Sequence, residues 1–257
     1  MPRIARKKSE TGIYHVIVRG INRQDIFHDD EDRKRYLDTL KKIAVEDIAK
    51  VLGYCMMSNH VHLIIKEGEA GISLFMKRLG ASYAYWYNLK YQRTGHVFQD
   101  RFKSENVKDD RYLLTVIRYV HRNPVKAGIV NKPEEYTWSS CRAYYGYSEY
   151  PPDLTHVYLV LDIFACPKEQ AIEKMRMFEA ENSEDGCLED TKNTRFHDDK
   201  AFNLIIEQLP GCSIPSLQQI SQIERREIIK RLKSIEGISI RQIVRITGLT
   251  YYEVYKA

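Results

Sequence analysis

The segment from residue 51 to residue 66 constrains the fold more than any other part of the sequence. Its two halves, VLGYCMM and HVHLIIK, are rich in apolar and β-branched residues, and the dipeptide Ser-Asn separates them. Two such runs joined by two residues predict a β-hairpin. An isolated hairpin is only marginally stable, so the flanking segments decide which sheet it joins.

Strand-like and helix-like segments alternate on both sides of this hairpin. Residues 12–20 and part of residues 96–107 have the composition of strands. Apolar residues recur at helical spacing in three segments, residues 30–49, 73–92 and 110–123. Pro124 is expected to end the last of these helices. The order β-α-β-β-α-β-α predicts an α+β fold, a ferredoxin-like (βαββαβ) antiparallel sheet with helices on one face and a further helix after it.

The composition predicts three parts along the chain. Residues 1–150 contain every element of the sheet and the helix that follows it. Residues 151–200 combine a short amphipathic helix, residues 166–181, with an acidic stretch typical of a flexible linker. Residues 201–257 show a helix, a turn and a helix, a pattern used to read duplex DNA but also found in simple packing modules. We therefore predict a small all-α region at the end of this sequence.

The charge distribution favours a polyanionic partner, although charge runs also occur on ordinary solvated surfaces. Residues 71–108 contain seven Lys or Arg against two Asp or Glu, whereas residues 151–200 contain six against twelve. The five cysteines are scattered and never spaced as CxxC, which fits a reducing cytoplasm. The sequence shows no secretory signal and no apolar run of the roughly 18 residues that a membrane span needs.

His60 and His62 are the most unusual feature of the hairpin. Side chains two residues apart on a strand share a face, so both imidazoles point the same way and Val61 and Leu63 point toward the opposite, core face. One interpretation is a pair of core histidines satisfied by hydrogen bonds. The other is a metal site with positions open for a substrate, because no third His or Cys lies nearby in the sequence. The HxH pattern alone leaves both open.

The segment RYVHRNPVKAG offers a second set of candidates. Tyr119 and Asn123 are four residues apart and share a face of the predicted helix, as do Arg118 and Arg122. An amide oxygen can bind a metal, a phenol near a cation can act as a nucleophile, and paired guanidinium groups suit phosphates. The alternative is that Tyr119 packs in a core and Asn123 caps the helix end.

Five blocks resemble a known family when they are taken together. GIYHVIVRGINRQDIF, MSNHVHLII, GHVFQDRFKS, YLLTVIRYVHRNPVKAGIV and YTWSSCRAY occur in an order and spacing similar to the single-tyrosine HUH transposases, most closely the REP-associated tyrosine transposase branch. The resemblance covers about residues 1–150. Two positions depart from the pattern: Ile21 stands where many relatives have Asn, and Cys141 where they often have Tyr. Neither belongs to the catalytic set.

The resemblance implies a function and a set of site residues. His60, His62 and Asn123 would bind a divalent cation, Mg²⁺ or Mn²⁺, with imidazole ligands favouring Mn²⁺ somewhat. Tyr119 would attack single-stranded DNA next to a hairpin, form a 5′-phosphotyrosine and later allow the strands to be rejoined. This reaction belongs to DNA transposition and recombination, and it places the protein with DNA in a prokaryotic cytoplasm.

DNA would be held by basic and amide side chains near this site. The candidates are Arg19, Asn22, Arg23, Arg101, Lys103, Arg118 and Arg122. A domesticated regulator that binds DNA hairpins without cutting them is the alternative function, and a covalent adduct at Tyr119 would distinguish the two. The sequence leaves open whether the protein is a monomer or a homodimer, and whether the C-terminal region also binds duplex DNA.

Overall fold

The computed structural model divides the chain into two compact units, Met1–Leu188 and Glu189–Ala257. It describes residues 7–181, 187–188, 198–209, 214–218, 220–235, 238 and 240–257. Most of the predicted acidic linker lies outside these described residues.

The first unit is built on a four-stranded antiparallel sheet. Its strands are β1 (Ile13–Arg19), β2 (Lys50–Met56), β3 (His60–Lys66) and β4 (Lys103–Asn106), and they lie side by side in the order β2-β3-β1-β4. This is the predicted ferredoxin-like arrangement, and β2 and β3 form the predicted hairpin. The predicted fourth strand is shorter than expected, and only a single bridge, between Gly20 and Phe98, extends it toward its N-terminal side.

Helices cover both faces of the sheet. Helix α1 (Asp30–Glu46) and helix α2 (Gly71–Lys90) pack on one face, where the first hydrophobic core forms. Helix α3 (Asp110–Lys126) packs on the other face against a second core. Val61 and Leu63 belong to the first core, as predicted, whereas Ile64 belongs to the second. The two cores leave β3 buried on both sides.

Helix α3 continues through Pro124, so the predicted helix end at residue 123 was wrong. The proline ring removes only one backbone donor, and the helix keeps its later hydrogen bonds, including Ala127 N–H to the Asn123 carbonyl at 3.0 Å. Gly128 stops the helix instead, because it adopts a φ of +68° and the chain turns away. The additional turn brings Lys126 onto the same helix as Tyr119.

Three further helices complete the first unit: α4 (Cys141–Tyr144), α5 (Tyr158–Leu161) and α6 (Lys168–Ala180). The segment before α4 is tied to the edge of the sheet, since Ser140 N–H donates to the Tyr54 carbonyl. Apolar residues of all three helices contribute to the core that also contains α3. The helix predicted over residues 166–181 is therefore present.

The second unit contains α7 (Asp198–Glu207), α8 (Gln222–Ser234), α9 (Ile240–Thr247) and α10 (Tyr251–Lys256) around a core of its own. Residue Gly248, with a φ of +69°, allows the turn between α9 and α10. No described helix in either unit is both long enough and apolar enough to cross a membrane.

Gly20, directly after β1, is expected to tolerate no side chain. Its φ of −63° suits any residue, but a Cβ would lie 2.1 Å from the Gln24 carbonyl oxygen and 2.8 Å from Ile26. We expect Gly20→Ala to lower the free energy of unfolding by about 2 kcal/mol, measured by urea denaturation. Gly80→Ala is the control: its Cβ meets Phe98 at an ordinary 3.7 Å, and helix propensity favours alanine. Equal stability of the two variants would contradict this account.

Candidate functional site

Strand register places the two histidines of β3 beside polar residues of β1 and β4. In the antiparallel pairing, His60 lies opposite Arg19 and His62 lies opposite Ile17. Ile17 in turn pairs with Lys103 on β4. Directly opposite residues point to the same face of a sheet, so His60, His62, Arg19 and Lys103 share the face that α3 covers.

Tyr119 lies on the same side of the sheet as His60 and His62. The centres of the His60 and His62 rings are 5.1 Å apart, and the Tyr119 ring lies 5.8 Å from His62 in an edge-on arrangement. Tyr119 is only 5% exposed and His62 only 1%, whereas His60 is partly exposed. Residues separated by almost 60 positions in sequence therefore form one compact group that opens to solvent at His60.

Hydrogen bonds fix the orientation of the His60 ring. The Asn59 side-chain amide donates to the Arg23 carbonyl at 3.2 Å, which leaves its oxygen to face His60 Nδ1 at 2.6 Å. Because that oxygen can only accept, His60 Nδ1 must carry the proton. Its Nε2 therefore holds a lone pair, the form of imidazole that binds a metal.

Both histidines are held in the neutral state. Burial, together with the neighbouring Arg19 charge, lowers the pKa of His60 to about 4. Burial lowers the pKa of His62 well below its usual value, helped by His15, His60 and Arg19. Neutral imidazoles are the form that binds a divalent cation, so the donor set fits such an ion.

Asn123 lies one helical turn after Tyr119 and is half-buried. Its side-chain Nδ2 donates to the Tyr119 carbonyl at 2.9 Å, so its amide oxygen is the atom left to bind a cation. Lys126 places its ammonium group 4.5 Å from the centre of the Tyr119 ring. Lys126 was not predicted as a site residue, because the helix was expected to end before Pro124. Its spacing of seven residues from Tyr119, about two helical turns, would have placed it on the same helix face.

Among the candidate DNA-binding residues of the first and fourth strands, Arg19 and Lys103 share the face of the histidines, whereas Arg101 lies on the side of α1 and α2. Asn22 and Arg23 are exposed in the turn after β1, and both have positive φ angles. Lys103 is exposed on the edge strand β4, and Arg101 is exposed just before it. Arg101 also borders a cavity of about 740 Å³ lined by residues 95–102 and Ala84. The structure thus keeps these side chains accessible to a ligand.

Arg118 and Arg122 lie elsewhere and have protein partners. Arg118 donates to the Phe178 carbonyl at 3.0 Å and stacks on the Phe178 ring at 4.0 Å. Arg122 donates to the Glu179 and Glu181 carbonyls at 3.2 and 2.8 Å. These carbonyls lie at the C-terminal end of α6, where cationic side chains are favourable. Arg118 and Arg122 thus make contacts that dock α6 on α3, and their phosphate contacts stay a prediction.

A buried polar cluster strengthens the same docking. Glu179, on α6, accepts from His121 Nδ1 at 2.6 Å and from the Tyr145 hydroxyl at 2.5 Å, and Cys141 Sγ lies 3.6 Å from it. His121, Cys141 and Glu179 are residue types that bind metals, and their ligand atoms lie within 4.8 Å of one another. The 2.6 Å separation is that of a hydrogen bond, and the second ring nitrogen of His121 contacts the Ser140 hydroxyl. We interpret this cluster as a hydrogen-bonded contact between helices.

Two comparisons with known proteins found a match. Residues 8–123 match the family model described as "Transposase IS200 like", a range that contains His60, His62, Tyr119 and Asn123. A solved structure of a REP-associated tyrosine transposase bound to a REP hairpin aligns with 55% of this chain and 82% of its own, at 17% identity and a TM-score of 0.46. No curated protein matches the chain at a significant level.

Removing the carboxylate of Glu179 is expected to destabilise the first unit. Glu179→Ala leaves buried His121 Nδ1 and the Tyr145 hydroxyl without their acceptor, and we expect the free energy of unfolding to fall by about 3 kcal/mol in urea denaturation. Glu173→Ala, at an exposed position of the same helix, is the control and should change it by less than about 0.5 kcal/mol. Zinc-dependent stabilisation of the parent that disappears in Glu179→Ala would instead identify a metal site.

Proposed function

We propose that this chain, whose residues 8–123 match the IS200-like transposase family model, cleaves and rejoins single-stranded DNA through Tyr119, assisted by a divalent cation. One observation carries the proposal. Tyr119, which is far from the two histidines in sequence, comes into ring contact with His62, which in turn contacts His60, on one face of the sheet. Apolar side chains would fill a hydrophobic core equally well, so two neutral imidazoles beside a phenol at a solvent opening indicate a chemical role.

In the proposed reaction, the Tyr119 phenol oxygen attacks a phosphorus atom of the DNA backbone. The bond between phosphorus and the 3′ oxygen breaks, and the tyrosine keeps the 5′-phosphate while a 3′-hydroxyl leaves with a proton. Attack by a 3′-hydroxyl on the phosphotyrosine reverses the step and joins two strands. The energy of the phosphodiester bond is thus retained in the protein–DNA bond between cleavage and rejoining.

The residues around Tyr119 divide the remaining tasks. His60 Nε2, His62 Nε2 and the Asn123 amide oxygen would hold Mg²⁺ or Mn²⁺. When bound, the cation polarises the scissile phosphate and neutralises charge in the transition state. Lys126, 4.5 Å from the Tyr119 ring centre, adds positive charge beside the nucleophile. Packing of α3 against the sheet holds the phenol in place.

The substrate strand would follow the basic rim of this site. Arg19, Asn22 and Arg23 lie at the end of β1 beside His60, and Lys103 lies across β1 from His62. Arg101 is flanked by the half-buried rings of Phe98 and Phe102, and aromatic rings beside cations suit unpaired bases. The resemblance of the five sequence blocks extends this proposal to a strand that flanks a DNA hairpin.

The second unit would add a contact to duplex DNA. Its helices α9 and α10 are joined by a tight turn, and Thr250 and Glu253 form a capping box that starts α10. Tyr251 and Tyr252 expose more than half of their surface on this helix. An exposed, polar-tipped second helix after a short turn suits major-groove binding.

The decisive experiment is an assay for a covalent protein–DNA adduct with hairpin oligonucleotides and Mn²⁺. We expect Tyr119→Phe to reduce adduct formation by at least about a thousandfold while hairpin affinity changes less than about threefold. His62→Ala should lose the adduct as well, because a ligand to the cation is removed. Tyr158→Phe, at an exposed position of α5, is the control that should keep activity. Binding without an adduct in the parent protein would favour the non-catalytic regulator.

Loss of a rim cation should weaken DNA binding electrostatically. We expect Lys103→Ala and Arg23→Ala each to lower affinity for all hairpins to a similar degree, and to reduce the slope of log K against log salt by about 1. Lys42→Ala is the control, since Lys42 is exposed on α1, on the opposite face of the sheet. An unchanged slope in both variants would remove these residues from the interface.

A further inference from the structure

We propose that His15 and Glu105 form a positioning pair that holds His62 in the ring orientation and tautomer needed to bind the cation. This inference rests on the proposed metal site and names two residues that the sequence analysis did not single out. His15 is on β1 and Glu105 on β4, where they pair directly with each other, so both point to the face that carries His62.

The contacts form a chain that ends at the metal ligand. His15 Nε2 lies 3.1 Å from His62 Nδ1, and the two rings stack with centres 5.4 Å apart. His15 Nδ1 lies 3.8 Å from Glu105 Oε2. No described group lies within hydrogen-bond distance of His15 Nδ1, which is fully buried, so the Glu105 carboxylate is the nearest acceptor for its proton.

Glu105 is itself held in place. The Leu188 backbone N–H donates to Glu105 Oε2 at 2.8 Å. Contacts with His15, with the Tyr112 hydroxyl and with that N–H lower the pKa of Glu105, despite partial burial. A fixed carboxylate next to a buried neutral imidazole can only attract an N–H, because a lone pair facing it would be repelled.

The carboxylate therefore decides the tautomer of both rings. With its proton on Nδ1, His15 offers a lone pair at Nε2, and this lone pair must accept a hydrogen bond from His62 Nδ1. His62 Nε2 is then left with a lone pair for the cation. In the opposite arrangement His62 Nε2 would carry the proton and could not bind a metal. Carboxylate or imidazole partners behind a ligating histidine commonly raise metal affinity by 10–100-fold.

A neighbouring residue on the same face of β1 helps to distinguish a positioning role for His15 from a simple packing role. Ile17, between His15 and Arg19, shows that an apolar side chain is tolerated on this face of β1. A purely structural position would accept a hydrophobic residue in place of His15. A hydrogen bond between the His15 and His62 rings, whose nitrogens are 3.1 Å apart, is needed for positioning but not for packing.

The test measures metal binding and tautomer without DNA or turnover. Mn²⁺ dissociation constants would be determined by electron paramagnetic resonance for the full chain and for His15→Leu, His15→Gln and Glu105→Gln. We expect His15→Leu to weaken Mn²⁺ binding by about tenfold or more. His15→Gln should restore much of the affinity, since its amide oxygen can accept from His62 Nδ1. Glu69→Gln, an exposed position, is the control.

Nitrogen chemical shifts of the histidine rings give the second readout. We expect the parent His62 to carry its proton on Nδ1, and Glu105→Gln to shift the population toward the Nε2-protonated form. Urea denaturation checks that each variant is folded, and if His15→Leu does not fold, His15→Gln against Glu105→Gln supplies the comparison. Parent-like Mn²⁺ affinity and an unchanged His62 tautomer in the folded variants would overturn the inference.

Failure of the proposed metal site gives a different result. If His62→Ala binds Mn²⁺ as tightly as the parent protein, the metal site itself is wrong. If His62→Ala loses the metal while the His15 and Glu105 variants keep it, only the positioning pair is wrong. Loss in His62→Ala together with graded loss across the His15 and Glu105 variants supports both.

Discussion

The antiparallel register between β1 and β3 is the constraint on which the rest of the first unit depends. It sets His60 opposite Arg19 and His62 opposite Ile17, and the pairing of β1 with β4 then adds Lys103 and Glu105 to the same face. Side chains alternate along a strand, so a shift of one residue would turn both histidines toward the core under α1 and α2. Two large hydrophobic cores, one on each face, oppose such a shift.

Helix α3 serves two purposes through two of its sides. One side carries Tyr119, whose ring packs against His62, together with Asn123 and Lys126, which contact Tyr119. The other docks α6, through two guanidinium groups that bind the last carbonyls of that helix and through His121, which binds the buried Glu179 carboxylate. The helix that carries the proposed nucleophile is thus held from behind, which limits the motion of its phenol. At the α6 end, buried His121 and Tyr145 are both hydrogen-bonded to buried Glu179, as their desolvation requires.

Much of the fold was predictable from sequence because local patterns there agree with the tertiary structure. The hairpin, the element order and the sides of β3 follow from alternation and helical spacing, which depend only on neighbouring residues. Pro124 is the instructive failure. Its ring disfavours a helix locally, but the apolar face of α3 packs on the sheet over its full length, and Gly128 offers a better place to end. The free energy gained by packing α3 therefore exceeded the local preference of Pro124 against a helix.

The residues of the proposed site were likewise predictable from sequence only in part. His60, His62, Tyr119 and Asn123 could be named from two short motifs and a family resemblance, because each motif is contained within one strand or one helix. Arg118 and Arg122 looked equally suitable for phosphate, yet their partners are carbonyls about 60 residues away. His15, Glu105 and Lys126 carried no motif. The sequence by itself determined which strand and which helix present the chemical groups; only the tertiary structure decided which charges face the site and which face protein, because strand pairing and helix docking join residues that no local pattern connects.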